Sequence, residues 1–368
     1  MSSQPAFEFG WAGPDDEPEI RALIASVSMP GSVSMRFARE PDYFLGASIM
    51  GDRCDVITVR NRADGHLAGI ACRAEGRAFV NGQETGLGYI GQIRVAPAQR
   101  GHWLVSQGAA MFKDASPPGL LYYGVIASEN PRARQLLVGK RPPAGLHVRH
   151  ISGITTCAVL LRPFRPFHAK GIVVHPASAA DLDALVAFLR QHGQRRQFFP
   201  AYTLADFIGG RKLRGLRPQD ILLAWRGQTL AGVMSAWDQS GYKQDIVESY
   251  GPTLRRLRPL YDIAARLIGV RPLTPPGQEI QTAFAASVCV ADDRTDVMRA
   301  LLSASAIQAY RRGKAFLMVG LADNDPLLAE AKRFLHIPYH SDLYAVSWSA
   351  EKVAQVDARI PYIEIATL

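Results

Sequence analysis

The sequence predicts an α+β protein made of two copies of one unit, each a mixed, mostly antiparallel sheet flanked by helices. Three observations lead there. Val56-Ile57-Thr58-Val59 runs through a polar turn to Leu67-Ala68-Gly69-Ile70, and Ile221-Leu222-Leu223-Ala224 runs likewise to Leu230-Ala231-Gly232-Val233, so each half carries a hairpin. Ile93-Arg94-Val95-Ala96 is echoed by Val288-Cys289-Val290-Ala291, and Asn130-Pro131 ahead of a helix by Asn324-Asp325-Pro326. The offsets are 163 residues at the hairpins (Leu67 to Leu230) but 195 (Val95 to Val290) and 194 (Asn130 to Asn324) later on. One insertion of about thirty residues in the second half reconciles them.

In the first half, Phe7 to Gly10 reads as a strand. A helix from Asp15 to Ser26 follows, with Ile20, Leu23, Ile24 and Val27 at helical spacing. Phe37 to Phe44 is irregular, with its aromatic pair expected in the core. Strands follow at Val56–Asn61, Ala68–Ala74 and Arg77–Val80, then the turn Asn81-Gly82 and a strand Tyr89–Val95 that Pro97 stops. Leu104–Lys113 is a helix, Leu120–Ile126 a buried strand, and Pro131–Val138 a helix. The prolines of Leu161 to Phe167 mark a linker, since proline fits neither a helix interior nor a central strand. Gly171–Val174 and the helix Ala180–Gln191 then repeat the opening. The insertion falls near Ser249 to Glu279. There Leu254, Leu257, Tyr261, Ala264, Leu267 and Ile268 line one side of a basic helix that Pro272, Pro275 and Pro276 end. Strand Ala283–Val290, helix Val297–Tyr310, strand Ala315–Leu321, helix Pro326–Phe334 and strand Leu343–Trp348 complete the unit.

With 368 residues the chain exceeds what one hydrophobic core usually serves, so two domains are expected. No stretch offers the roughly 18 uninterrupted apolar residues of a bilayer span, and Met1 to Gly13 lack a basic start followed by an apolar run. A soluble protein with a cytoplasmic location is the expectation. Cys54, Cys72, Cys157 and Cys289 stand singly, without the close pairs that zinc or a redox dithiol needs, and the nine histidines are dispersed, so no metal site is expected. The net charge of +9 gathers in the second half, at Arg195-Arg196, at Arg211, Lys212, Arg214 and Arg217, and at Arg255, Arg256, Arg258, Arg266 and Arg271. A solvated surface is its plainest reading, ahead of a phosphate-bearing cofactor, nucleic acid or an anionic membrane, and no recognised nucleic-acid motif accompanies it.

The segment Ile93-Arg94-Val95-Ala96-Pro97-Ala98-Gln99-Arg100-Gly101-His102-Trp103-Leu104 resembles the acyl-CoA motif of the GCN5-related N-acetyltransferases, and the element order on either side resembles that fold, present twice. Helix N-terminal amides bind pyrophosphate, and glycine lets backbone approach phosphate. The resemblance implies tandem domains at 1–162 and 168–368. Acetyl-CoA or another acyl-CoA would sit in the first, held by Ile93, Arg94, Val95, Arg100, Gly101, His102, Trp103, Leu104 and Asn130. Trp103 and Val105 stand where the family has glycine and then glycine or alanine. The matching second-half segment, Val290 to Asp296, has no glycine and three carboxylates, so that copy is expected to be degenerate. Asn130 and Asn324 are equally good helix N-caps without any ligand.

The reaction implied is acyl transfer to a small-molecule or peptide amine, with a backbone amide near Val95 polarising the thioester. The family's usual tyrosine is missing from Ala133 to Leu137. Tyr89, Gln92, Tyr123 and Glu84, on or before strands bordering the cleft, are the catalytic candidates. A non-catalytic binding protein of the same fold is the second reading. An aminoacyl-tRNA-dependent transferase with its basic half on RNA is the third, and a homo-oligomer is left open.

Overall fold

The computed structural model describes residues 6–28, 33–96, 99, 102–139, 142–163 and 165–368. The first half contains β1 (Phe7–Trp11), α1 (Glu17–Ser26), β2 (Val33–Ala38), α2 (Tyr43–Ala47), β3 (Arg53–Asn61), β4 (Leu67–Val80), β5 (Gln83–Val95), α3 (His102–Ala115), β6 (Tyr122–Ala127), α4 (Pro131–Val138) and β7 (His147–Leu160). The second contains β8 (Val173–Pro176), α5 (Leu182–Gly193), β9 (Phe199–Pro200), α6 (Leu204–Phe207), β10 (Ile221–Arg226), β11 (Thr229–Trp237), β12 (Gln244–Tyr250), α7 (Pro252–Leu267), β13 (Thr282–Val290), α8 (Thr295–Arg311), β14 (Phe316–Ala322), α9 (Leu328–Lys332), β15 (His336–Ser347) and α10 (Ala350–Ala354).

One sheet runs through both halves in the order β1-β3-β4-β5-β6-β15-β7-β14-β13-β11-β10-β8, with the short β9 added beside β4. Read from either end, the order visits corresponding strands. Its centre is an exchange: β7, the last strand of the first half, pairs with β14, and β15, the last of the second, pairs with β6. The two exchanged strands pair antiparallel with each other along their length, from His336 opposite Val159 to Ser347 opposite His147. The pairs β5–β6 and β13–β14 are parallel and the others antiparallel. A separate two-stranded sheet, β2 with β12, also joins one half to the other.

Alternation along the strands sorts the cores. Val56, Ile70 and Cys72 bury against Ile20, Leu23 and Ile24 of α1 and Tyr43 of α2. Ile57, Val59 and Ala68 bury against Leu104 and Phe112 of α3. In the second half, Leu182, Leu185 and Leu189 of α5 share a large cluster with Val297, Leu301 and Leu302 of α8 and the strands between them.

Several expectations are corrected. Ala68–Ala74 and Arg77–Val80 are one strand, β4, because its partner β5 is nearly as long and pairs across the Glu75-Gly76 step. The irregular Phe37–Phe44 stretch ends β2 and begins α2, whose Asp42 side chain caps it by accepting from the Phe44 amide; Tyr43 is buried, as expected. Strand β7 was not predicted, since its partners lie far along the chain and no local turn announces it. Helix α9 begins only at Leu328, and Asp325 rather than Asn324 accepts from the Leu327 amide. Cys54 and Cys72, distant in sequence, meet on β3 and β4 with sulfurs 2.9 Å apart.

Candidate functional site

Strands β5 and β6 run side by side only at Gly88–Tyr122 and Tyr89–Tyr123 and then diverge. Just beyond that point β5 bulges: Gly91 is opposite Cys72 and Arg94 opposite Ile70, leaving Gln92 and Ile93 both facing the single residue Ala71. Gln92 takes a φ of 51°, a left-handed value that a non-glycine residue adopts at some cost. Its side-chain Oε1 is buried without a partner, and among the described residues no side chain accepts from the amides of Gln92, Ile93 or Arg94. The bulge thus stands where two strands part.

On the α3 side of the sheet lies an apolar slot of about 580 Å³, including its mouth. Ile90, Ile93 and Val95 of β5, Leu104 and Gly108 of α3 and Leu137 of α4 are among its walls. A Cβ placed on Gly108 would meet nothing within 4 Å, so the helix leaves this space open. Trp348, beyond β15, closes one side.

On the opposite face a cleft of about 620 Å³, open solvent at its mouth included, lies between the halves, walled by Tyr89 and Tyr123, by Phe198 and Tyr202, and by Glu364 and Thr367 near the C-terminus. Tyr89 and Tyr123 touch, with ring centroids 5.1 Å apart, and Phe198 stacks on Tyr123. Burial raises both phenols far above the ordinary tyrosine value, so both stay protonated. Glu364 is buried. Its Oε2 accepts from the Ser287 amide at 2.7 Å, Tyr362 Oη at 2.8 Å and Tyr202 Oη at 3.1 Å, while Oε1 has no partner. Burial pushes its carboxyl up, with these three donors and the Ala366 backbone opposing. Lys243 donates to the carbonyls of Ala366 and Leu368, and burial lowers its pKa to about 7, with the nearby Arg39 contributing. Arg39 and Arg94 both lie over the Phe37 ring, 5.6 and 5.5 Å from its centroid.

The predicted site residues separate accordingly. Tyr89 and Tyr123 share the cleft; Ile93, Val95 and Leu104 line the slot; Gln92 is the bulge between them. Arg94 turns its guanidinium to Phe37 and to the Ile93 carbonyl at 3.1 Å, on the same face as Tyr89. Glu84 lies apart, in ion pairs with Arg190 and Arg77 that hold its carboxyl below the usual range. Asn130 caps α4, its Oδ1 accepting from the Ala133 amide at 3.0 Å. Arg100 and Gly101 are outside the described residues, as are Pro97 and Ala98, and of His102 and Trp103 only the backbone that opens α3 is described. Sequence reasoning missed Glu364, Tyr202 and Tyr362. The acid within Ile360-Pro361-Tyr362-Ile363-Glu364-Ile365 was the available signal, a carboxylate in an otherwise apolar run.

In the second half Ser287 corresponds to Gln92 and has the same φ of 51°. Here the bulge is filled from within: Glu364 takes the Ser287 amide and Tyr362 Oη accepts from the Val288 amide at 3.1 Å. The following turn carries Asp292 and Asp293, both at positive φ and paired with Arg195 at 2.7 Å and Arg196 at 2.5 Å. Those two arginines neutralise the chain's own carboxylates.

The strand order, the splayed parallel pair and the bulge define a class. The chain has the GCN5-related N-acetyltransferase fold, in two tandem copies joined into one sheet. It is similar to N-myristoyltransferase of Saccharomyces cerevisiae solved with bound myristoyl-CoA, at a TM-score of 0.59 and 11% identity over 94% of this chain and 83% of that one. It is also similar to a GCN5-related N-acetyltransferase from Sphaerobacter thermophilus, at 0.56 and 15% over 99% of each chain. A third similarity, at 0.59 and 13%, is to a fungal multi-domain β-N-acetylglucosaminidase with a glucosamine N-acetyltransferase region, covering 93% of this chain and 38% of that one. No family model and no curated protein matches the sequence.

Proposed function

We propose that this protein is an acyl-CoA-dependent N-acyltransferase with one cofactor site, in the first half, and that the second half shapes the cleft that receives the acceptor amine. The observation that carries the reading is the asymmetry of the two bulges: the one at Gln92 is open on an apolar slot, and the one at Ser287 is occupied by Glu364 and Tyr362. The acyl-CoA would enter through the gap between β5 and β6 with its pyrophosphate at the start of α3. The walls of the slot are apolar, from Ile57, Val59 and Ile90 to Leu104 and Leu137, so an acyl chain longer than acetyl is the substrate we assign. The similarity to a myristoyl-CoA-bound structure supports that assignment.

In the reaction the amine nitrogen attacks the thioester carbon while a bulge amide polarises the carbonyl. A carbon–nitrogen bond forms and the carbon–sulfur bond breaks. Glu364, through its unpartnered Oε1, takes the proton leaving the amine, and the Tyr89–Tyr123 pair supplies one to the departing thiolate. The products are an amide and free CoA.

The test is calorimetric titration with acetyl-CoA and lauroyl-CoA. Gly108→Phe puts a side chain into open space in the slot and should weaken lauroyl-CoA binding about tenfold or more, leaving acetyl-CoA unchanged. Arg100→Glu with Trp103→Glu should weaken both. Absence of binding by the unaltered protein would favour the non-catalytic reading.

A further inference from the structure

Helix α7 belongs to the segment by which the second half exceeds the first. One face of it is firmly seated. Tyr261 and Ala265 pack with Leu160, Val270 and Phe316. Asp262 accepts from the Leu273 amide at 2.9 Å, Arg258 donates to the Leu273 carbonyl at 3.1 Å, and the Val270 amide donates to the Ala265 carbonyl at 2.8 Å. The helix therefore presents a fixed outer surface.

That surface is apolar where water should favour polar groups. Leu257, Leu260, Ile263, Leu267 and Ile268 are 50, 66, 57, 83 and 49% exposed. Steps of three and four residues, with Ala264 between, set them in one continuous stripe along the helix. Sequence spacing sets Leu257, Ala264, Leu267 and Ile268 on one side of this helix together with Leu254 and Tyr261, and the fold seats the helix through Tyr261 and Ala265 while leaving the stripe outward. An exposed apolar patch of this kind marks a surface made to be covered.

The charges say by what. Arg255, Arg256, Arg266 and Arg271 are exposed, and among the described residues none of them is paired with a carboxylate. Arg255 and Arg266 lie about three turns apart on one edge of the stripe. The helix's one carboxylate, Asp262, is turned inward to Leu273. A second copy of this helix would set arginines against arginines, which costs affinity. Guanidinium groups around an apolar stripe fit lipid phosphates above acyl chains. With no helix among the described residues long and apolar enough to cross a bilayer, the arrangement is one that lies on the surface.

We propose that α7 docks the protein onto an anionic lipid surface, with Leu257, Leu260, Ile263, Leu267 and Ile268 entering the headgroup boundary and the four arginines contacting phosphates. The proposal stands independently of the acyl-transfer reading.

The experiment is co-sedimentation of the full chain with vesicles of phosphatidylcholine alone and of phosphatidylcholine with phosphatidylglycerol in equal parts, at low and high salt. Binding to the anionic vesicles should exceed binding to the neutral ones about tenfold or more and fall in high salt. Leu260→Glu with Leu267→Glu, and separately Arg255→Glu with Arg256→Glu, should each reduce it about tenfold. Their circular dichroism and melting temperature should not change, because all four side chains are exposed. The proposal is overturned if the unaltered protein stays in the supernatant, binds both vesicles equally, or is still bound in both variants. It is also overturned if sedimentation velocity shows a dimer that the leucine variant disperses while no vesicle binding is seen.

Discussion

Glu364 is the residue on which the two halves most depend on each other. Its Oε2 fills the second-half bulge, and its Oε1 is buried without a hydrogen-bond partner, in a residue that lines the same cleft as Tyr89 and Tyr123. Burial raises its pKa, so as a proton acceptor it has to lose its own proton first, and activity should rise with pH through a limb lying above the ordinary carboxylate range. Glu364→Gln keeps the shape but cannot accept a proton. A pH profile of kcat/KM should show that limb in the unaltered protein, and a loss of roughly 10²-fold or more together with the limb in the variant. An unchanged rate would remove Glu364 from the mechanism.

At the scale of elements, the splay between β5 and β6 depends on small residues beside large ones. A Cβ on Gly91 would lie 2.0 Å from Tyr89 Oη, so only glycine lets the tyrosine ring lie across the strand just before the bulge. Gly91→Ala should push Tyr89 from the cleft and cost about 1–3 kcal/mol through overpacking. Urea unfolding gives the stability, and Tyr89→Phe gives the comparison: a rate loss in Gly91→Ala as large as in Tyr89→Phe is the expected result, and normal activity in both would exclude Tyr89 from proton transfer. The slot on the other face follows the same logic, since Gly108 withholds a side chain from space that α3 would otherwise fill.

For the whole molecule, the exchange of β7 and β15 decides cooperativity. A fragment ending at residue 162 would keep β7 but lose both of its neighbours, β14 and β15, and would expose the edge of β6. Unpaired central strands invite aggregation. The fragments 1–162 and 163–368 should each be insoluble or molten when made alone and should recover native circular dichroism when refolded together. Independent cooperative melting of either fragment would show that the exchange is not needed for folding.

Much of the fold was legible because it is written locally. The hairpins at Val56–Ile70 and Ile221–Val233 have period-two patterns and turns, and the insertion followed from comparing offsets along one chain. The strands that were missed, β2, β7, β9 and β12, pair with segments 120 to 217 residues away, so no nearby turn marks them. The site was legible in the same measure. The motif from Ile93 to Leu104 located the bulge and the slot, and Tyr89 and Tyr123 were found as strand residues beside it. Glu364 was not, because its partners Ser287 and Tyr202 lie on other strands and loops. Glu84, chosen for its place before the predicted strand Tyr89–Val95, lies within β5 and is engaged by Arg77 and by Arg190 from α5, an arrangement that only the packing of the halves creates.

The sequence by itself determined that the chain is doubled, where the extra segment lies, and that the second copy of the motif departs from the first, because repetition, glycine placement and charge are properties of order along the chain. Tertiary structure alone decided which strands are exchanged, that Glu364 and Tyr362 close one bulge while the other is open, and that the apolar stripe of α7 faces outward. Each of those outcomes depends on contacts between distant residues, where burial and hydrogen-bond partners are set by what the fold brings alongside and by nothing in the neighbouring sequence.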